Sequence, residues 1–419
     1  MNVLRVNKPD QALKGTVRLP ASKSISNRLL IIRALSGNDF KIDNLSQSED
    51  TILLENILAE IKASENKKGI TELNTANAGT AMRFLTAYLS MKPGRWVLTG
   101  SSRMKQRPIG ILVDALKPLG ASIEYLGSLG FPPLLINGRI LKGGEIVLDP
   151  GISSQFVSAM LMIAPKIPGG MVLHLFGHPV SYPYVNMTMQ LMAACGVNVT
   201  KAKSYIKVPE SVYRQQDFSV EADWSAAAFW YEAAALSDEV DLFLTGLKKD
   251  SLQGDSVIAE LFTCFGVHTE YLETGIRLTR SSERRKNCTF NFADYPDIAP
   301  SVITTCAVLG MAGKFEGLKN LKIKETDRIV ALQNELAKLG INIETSNAGD
   351  FSFKLEFAPD QIKLPPGVRF GTYEDHRMAM TFAPLAIRSG EVLIEEPEVV
   401  SKSYPGFWTD LQSLGFELT

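Results

Sequence analysis

Residues 323–344 read IKETDRIVALQNELAKLGINIE, and the rest of the chain is best understood outward from them. Apolar residues recur at Ile329, Leu332, Leu336 and Leu339, the stripe of an amphipathic helix, and Leu339-Gly340 supplies a stop signal. The helix is predicted to start near Thr326, a suitable N-cap. Asp327 suits the positive end of a helix, whereas Lys324 and Arg328 beside it are each disfavoured there by about 0.3–1 kcal/mol. The ending KLGINIE returns as PLGASIE (118–124), ACGVNV (194–199), CFGVHTE (264–270) and SLGFEL (413–418). Each reads as a helix stopped by glycine and followed by a strand. The stop glycines, Gly120, Gly196, Gly266, Gly340 and Gly415, lie 70 to 76 residues apart, so 419 residues hold between five and six such units.

A second series runs in the same register, in which a polar opening leads into a helix rich in Ala, Met and Leu. Its members are SKSISNRLLIIRAL, NAGTAMRFLTAYL, SSQFVSAMLMIA, ADWSAAAFWYEAAAL, PDIAPSVITTCAVLG and EDHRMAMTFAPLAI, marked by Ser24, Asn77, Ser153, Asp223, Asp297 and His376. Six units with two helices each follow. Short alternating segments such as RWVLTG, GEIVLD, MVLHLFG and EVLIEEP supply strands, and the class is α/β. Helices as apolar as SAAAFWYEAAAL must be enclosed by protein. Their first turns then gather where units converge, and gathered N-termini offer backbone N–H groups to anions. Lys23, Arg28, Arg83, Lys324, Arg328 and Arg377 all lie at or near helix starts, which fits if a bound anion lies there too. Taken singly, NAGT or SSQ is an ordinary cap, KETDR a solvated charged segment and His376 a structural histidine. Their common register separates them from those readings.

Composition sets limits. With 45% hydrophobic and 21% charged residues the chain reads as globular, and its length suggests two domains. A net charge of −1 argues against a surface made for nucleic acid or an anionic membrane, so an anion site must be local. The opening MNVLRVNKPDQALKGTV lacks the apolar core of a signal peptide, and no run approaches a membrane span, so a cytoplasmic protein is expected. Cys195, Cys264, Cys288 and Cys306 are far apart and lie in or beside apolar stretches, which predicts four buried thiols. His174 and His178 share a strand-like segment with no third partner, and no metal site is expected.

The motifs SKSISNR, NAGTAMR, RMKQRPIG, SSQF, SYPY, PDIA, IKETDR, EDHRMAM and SKSYPGF follow one another in an order that resembles the 5-enolpyruvylshikimate-3-phosphate synthases of the enolpyruvyl transferase family. That resemblance implies a two-domain fold of six βαβαββ-type units, three per domain, around buried helices. It places one domain at 22–220 and the other at 1–21 with 221–419. It implies transfer of the enolpyruvyl group of phosphoenolpyruvate to the 5-hydroxyl of shikimate 3-phosphate, without metal or organic cofactor. The implied partners are these two small molecules, with neither nucleic acid nor membrane, acting on a monomer. For shikimate 3-phosphate the implied residues are Lys23, Ser24, Arg28, Ser153, Ser154, Gln155, Ser181, Tyr184, Asp297, Asn320 and Lys324. For phosphoenolpyruvate they are Lys23, Asn77, Gly79, Arg107, Gln155, Arg328, Arg377 and Lys402. Asp297 is the implied base, and Glu325 with Lys23 or Lys324 the implied proton donor at C3. The inhibitor glyphosate is expected in the phosphoenolpyruvate site.

Two positions depart from the family's pattern. Tyr182 stands where a basic residue is usual, and Phe84 where proline is usual. The related transferase that acts on UDP-N-acetylglucosamine would show a KN pair near its start and a cysteine in the segment that here reads SSRMKQRPIG, which has none. A phosphate-sensing or RNA-binding repeat protein could gather basic helix starts but would have no need of Asp297 and Glu325 among them.

Overall fold

The computed structural model describes residues 2–65, 69–148, 153–175, 180–281, 283–345, 353–355 and 362–419. The α-helices in chain order are α1 (Lys23–Ser36), α2 (Glu49–Ala63), α3 (Gly79–Met91), α4 (Gly110–Leu116), α5 (Ser154–Ile163), α6 (Tyr182–Ala194), α7 (Trp224–Leu236), α8 (Ile258–Leu261), α9 (Ala299–Val308), α10 (Arg328–Ala337), α11 (His376–Phe382), α12 (Ala386–Ser389) and α13 (Phe407–Ser413). Apart from the short α12 they alternate between the two series. Thus α1, α3, α5, α7, α9 and α11 are the apolar helices, and all five stop glycines have positive φ, between 76° and 94°. Glycine adopts that left-handed conformation without a Cβ penalty, so the repeated glycine cleanly ends the helical segments of the other series, those of α4, α6, α8, α10 and α13.

The repeating topology is plain around α9 and α10. Strand Asn287–Asn291 leads through α9 to the parallel strand Ala312–Glu316, then through α10 to an antiparallel pair, Ile343–Thr345 with Phe353–Leu355. The same order recurs in strands Ile70–Asn74, Gly94–Thr99, Ser122–Tyr125 and Leu134–Gly138 around α3 and α4. Among the described residues five sheets have four strands, whereas the unit of α1 and α2 has a pair, Ile42–Asp43 with Phe218–Ser219.

The chain divides into two compact units, one of Met1–Ser22 with Glu221–Thr419 and one of Lys23–Val220. Strand pairing explains why the first residues belong with the C-terminal half. Strand Val3–Asn7 lies antiparallel to Glu391–Glu395, and Ala12–Arg18 lies parallel to Glu239–Thr245. Without the N-terminal segment, two sheets of that unit would each lack a strand.

Inside each unit three apolar helices touch one another, α1 with α3 and α5 in one and α7 with α9 and α11 in the other. Every residue of α7 except Ser225 is buried, as expected of a helix enclosed on all sides. Phe84, within α3, is 1% exposed.

Two expectations need correction. The N-cap of α10 is Asp327 and not Thr326, because the Asp327 carboxylate accepts hydrogen bonds from the N–H groups of Ile329 (3.1 Å) and Val330 (3.2 Å). Lys324 and Glu325 therefore precede the helix, and Arg328 opens it. All four cysteines are buried, but Cys264 and Cys288 form a disulfide and only Cys195 and Cys306 remain thiols. The chain between them, 24 positions from Cys264 to Cys288, runs out along strand Val267–Leu272 and back along Gly275–Arg280, until the Arg285 N–H donates to the Cys264 carbonyl. That return, invisible as spacing, sets the two sulfurs together. His174 pairs with Glu145 at 2.9 Å, and His178 lies outside the described residues. Among the described residues no three His, Cys, Asp or Glu side chains are grouped to hold a metal ion.

Candidate active site

In the Lys23–Val220 unit the expected residues stand at or near the N-terminal ends of α1, α3, α5 and α6, apart from Arg107, which follows the turn Met104–Gln106. Lys23, the first residue of α1, reaches Asp50 in the first turn of α2 at 3.2 Å. Arg28, one turn further, is 2% exposed. Its guanidinium donates to Thr188 Oγ1 (2.7 Å), the Ser24 carbonyl (2.9 Å) and Ser158 Oγ (3.2 Å). Two rings flank it, Phe84 at 5.4 Å and Tyr184 at 5.8 Å. Burial pushes its pKa down to about 10, since the charge has left water for neutral partners. A buried cation so placed is poised for an anion, and Phe84, one of the departures from the family pattern, forms part of its bed.

Gly79 opens α3 between two guanidinium groups. A Cβ there would lie 2.7 Å from a terminal nitrogen of Arg107 and 2.7 Å from one of Arg83. Arg83 donates to the Gly79 carbonyl at 2.9 Å and Arg107 to the Asn77 carbonyl at 3.4 Å. The glycine therefore leaves room for both arginines beside the backbone. Ser153 caps α5 by accepting from the Gln155 N–H, and the Gln155 side chain donates to Thr80 Oγ1 at 3.0 Å, tying α5 to α3. Ser154 and Ser181 are buried, and Ser181 precedes α6 in the left-handed conformation, φ 56°. Tyr182, the other departure, carries the Lys201 ammonium 4.1 Å above its ring. A cation thus accompanies the position from the strand Thr200–Lys201.

In the other unit the site residues form one ionic cluster. Asp297, just before α9, receives Lys324 (3.2 Å) and Arg328 (3.4 Å) on one oxygen and Arg377 (3.0 Å) on the other. Arg377 also donates to the Asp297 backbone carbonyl at 2.9 Å. Burial works to raise the Asp297 pKa, but the charges of Arg377, Lys324 and Arg328 outweigh it and hold the carboxyl well below its usual range. The Lys324 pKa is also lowered from the ordinary lysine value: burial lowers it against the pull of Asp297. Arg328 is 1% exposed and binds Asp375 through two nitrogens, at 2.7 and 3.2 Å, and Glu325 at 3.0 Å. Against the cost of burial, Asp375, Glu325 and Asp297 raise its hold on the proton. Asn320, Lys402 and His376 are also buried, with Asn320 in the turn Lys319–Ile323 that leads to Lys324.

Three acids escaped the sequence reading. Asp375 is fully buried and caps α11 through the Arg377 N–H (2.9 Å) while holding Arg328; its position ahead of an apolar helix was the available signal. Asp50, the partner of Lys23, carried only the ordinary mark of an acid in a first turn. Asp255 is 2% exposed and accepts a hydrogen bond from the Ser225 hydroxyl. Burial and then the nearby Asp297 charge raise it to about 7. It stands outside both repeat series, so spacing gave no signal.

The sequence model of the family described as EPSP synthase (3-phosphoshikimate 1-carboxyvinyltransferase) matches residues 7–411. A 3-phosphoshikimate 1-carboxyvinyltransferase of Bacteroides fragilis is 49% identical over 405 residues, 96% of each chain. Its counterpart in Sulfurovum sp. is 37% identical over 433 residues, covering 97% of this chain and 98% of its own. A solved EPSP synthase from Acinetobacter baumannii shares the fold, with a TM-score of 0.78 at 22% identity over 100% of both chains.

Proposed function

The chain belongs to the EPSP synthase (3-phosphoshikimate 1-carboxyvinyltransferase) family, and we propose how its own side chains carry out that family's reaction, the transfer of enolpyruvyl from phosphoenolpyruvate to shikimate 3-phosphate. The 5-hydroxyl adds to C2 of phosphoenolpyruvate while C3 takes a proton, and the tetrahedral adduct then expels phosphate as C3 gives up a proton, restoring the C2–C3 double bond. Asp297 is the base that accepts the hydroxyl proton. The observation that carries this reading is the grip of three cations on that one carboxylate.

In the ligand-free protein those cations make Asp297 a weak base. The two substrates bring two phosphates and two carboxylates, and anions that engage Lys324, Arg328 and Arg377 relieve Asp297 of their field. Its affinity for a proton then rises when both reactants are present, which ties base strength to occupancy. Lys324, whose ammonium is weakened by burial, is suited to give a proton to C3, with Glu325 beside it ordered by Arg328. Lys23 is the alternative proton donor at C3 in this reading.

Arg28, Ser24, Ser153, Ser154, Ser181, Gln155, Tyr184 and Asn320 bind shikimate 3-phosphate in this reading. The neutral surroundings of the Arg28 guanidinium support its assignment to an anion. Asn77, Gly79, Arg107, Arg377 and Lys402 serve phosphoenolpyruvate. Arginine suits this work because its planar fork meets carboxylate and phosphate through two hydrogen bonds. The test is phosphate release from phosphoenolpyruvate, which is expected only when shikimate 3-phosphate is present. Release driven by UDP-N-acetylglucosamine instead would overturn the reading.

A further inference from the structure

Residues 371–375 form a corner that delivers Asp375, His376 and Arg377 to the start of α11, and its backbone is unusual. Tyr373 and Glu374 are consecutive non-glycine residues in the left-handed region, with φ of 57° and 56°. Side chains crowd that conformation, so something must hold it. The hold comes from Glu335, which is 2% exposed although it is an acid on a surface-type helix. One of its oxygens accepts from the Tyr373 hydroxyl at 2.7 Å. The other accepts from the Gly371 N–H at 3.0 Å and pairs with Lys338 at 2.6 Å. Lys338 also donates to the Arg369 carbonyl at 2.8 Å, on the strand entering the corner.

Glu335 and Arg328 lie seven positions apart on α10, so they share a face of the helix. Arg328 grips the far end of the corner through Asp375 at 2.7 Å, and Glu335 grips the near end. Asp375 in turn accepts from the Arg377 N–H, and the Arg377 guanidinium reaches Asp297. The geometry points to Glu335 as a positioning residue for the transferase reaction: by clamping the Gly371–Glu374 corner through Tyr373 and Gly371, it sets where Arg377 meets phosphoenolpyruvate. Glu335 touches no reacting atom, and its action passes through the backbone it holds. This rests on the assignment of Arg377 to phosphoenolpyruvate.

The test uses the full chain and three variants, Glu335→Gln, Tyr373→Phe and Arg377→Lys, with KM for each substrate and thermal midpoints measured for all. Glu335→Gln is expected to raise KM for phosphoenolpyruvate about tenfold, the effect of losing one charge-assisted hydrogen bond. Tyr373→Phe, which removes the hydroxyl's bonds to Glu335 and Asn334 and keeps the ring, is expected to raise it about threefold, while KM for shikimate 3-phosphate stays within about twofold in both. A purely structural role would weaken both substrates together, and a parallel rise in the two constants overturns the inference. So does an unchanged phosphoenolpyruvate constant in Glu335→Gln and Tyr373→Phe when Arg377→Lys raises it, a result that leaves the assignment of Arg377 standing. If Arg377→Lys leaves that constant unchanged, the assignment itself fails and the inference falls with it.

Discussion

The ionic cluster around Arg328 allows a sharp test at Asp375. Its ion pairs join three cations, Lys324, Arg328 and Arg377, to three carboxylates, Asp297, Glu325 and Asp375. Asp375→Asn keeps size and capping ability, since asparagine is as good an N-cap as aspartate. What it removes is the charge opposite a guanidinium that is 1% exposed. Breaking one side of a buried pair typically costs about 3–5 kcal/mol, because the other charge is left without compensation. Glu325 and Asp297 still face Arg328, so the lower end of that range is expected. Urea unfolding followed by tryptophan fluorescence suits the measurement, since Trp224, Trp230 and Trp408 lie in the unit that holds the cluster and only Trp96 lies in the other. Arg328→Met should also destabilise, by leaving an excess of negative charge. The double variant restores balance, and a coupling of at least about 1 kcal/mol is expected between the two changes. A loss below about 1 kcal/mol for Asp375→Asn, together with simple additivity, would refute the account of the cluster as a balanced buried network.

Other outcomes follow from the same geometry. Asp297→Asn should still bind phosphoenolpyruvate yet lose turnover by about 10²–10⁴-fold, and turnover within about threefold of the parent would remove Asp297 from the role of base. Gly79→Ala should raise KM for phosphoenolpyruvate and the inhibition constant for glyphosate, because the new methyl displaces the Arg107 and Arg83 guanidiniums; since those are flexible ends, stability should change by less than about 1 kcal/mol, and an unmoved inhibition constant would place the glycine away from that pocket. Asp255, raised to about 7 in the folded state against 3.8 as its ordinary value, holds a proton there that the unfolded chain has lost, so the parent loses stability as pH climbs from about 4 to about 7. Asp255→Asn abolishes that loss, and its advantage in thermal midpoint should be near zero at pH 4 and grow to an equivalent of at most about 4 kcal/mol by pH 8; an advantage independent of pH would sink the argument.

Much of the architecture could be read from the chain because its signals are local. A glycine that ends a helix must stand at the end of that helix, so Gly120, Gly196, Gly266, Gly340 and Gly415 marked five units by spacing alone, and all five have positive φ. The apolar run of α7 announced its own enclosure. The unit of α1 and α2 had no such glycine, and its sheet is also the short one, two strands instead of four. The disulfide and the ends of the chain were less legible for one shared reason: both depend on which strand lies beside which, and pairing over 24 residues for Cys264 with Cys288, or between Val3–Asn7 and Glu391–Glu395, leaves no periodic trace.

The cations at helix starts show where sequence reasoning reaches its limit. Lys324 and Arg328 stand out as misplaced against the helix dipole, and a bound anion is one explanation. In the protein their position has a second cause. Asp297, Glu325 and Asp375 already surround them, brought from three separate segments, and these carboxylates outweigh a dipole term of about 0.3–1 kcal/mol. Arg28 differs, because its contacts are hydroxyls, a carbonyl and two rings. Under the proposed assignments, the two units would receive anionic ligands in different ways. At Arg28 a ligand meets a buried cation with neutral neighbours and needs to displace no acid. At Arg328 and Arg377 a ligand must compete with internal carboxylates, and under the proposed function that competition would free Asp297 to take a proton. A site of the second kind binds less tightly than its count of cations suggests, and in return its base becomes active only when the ligand is there.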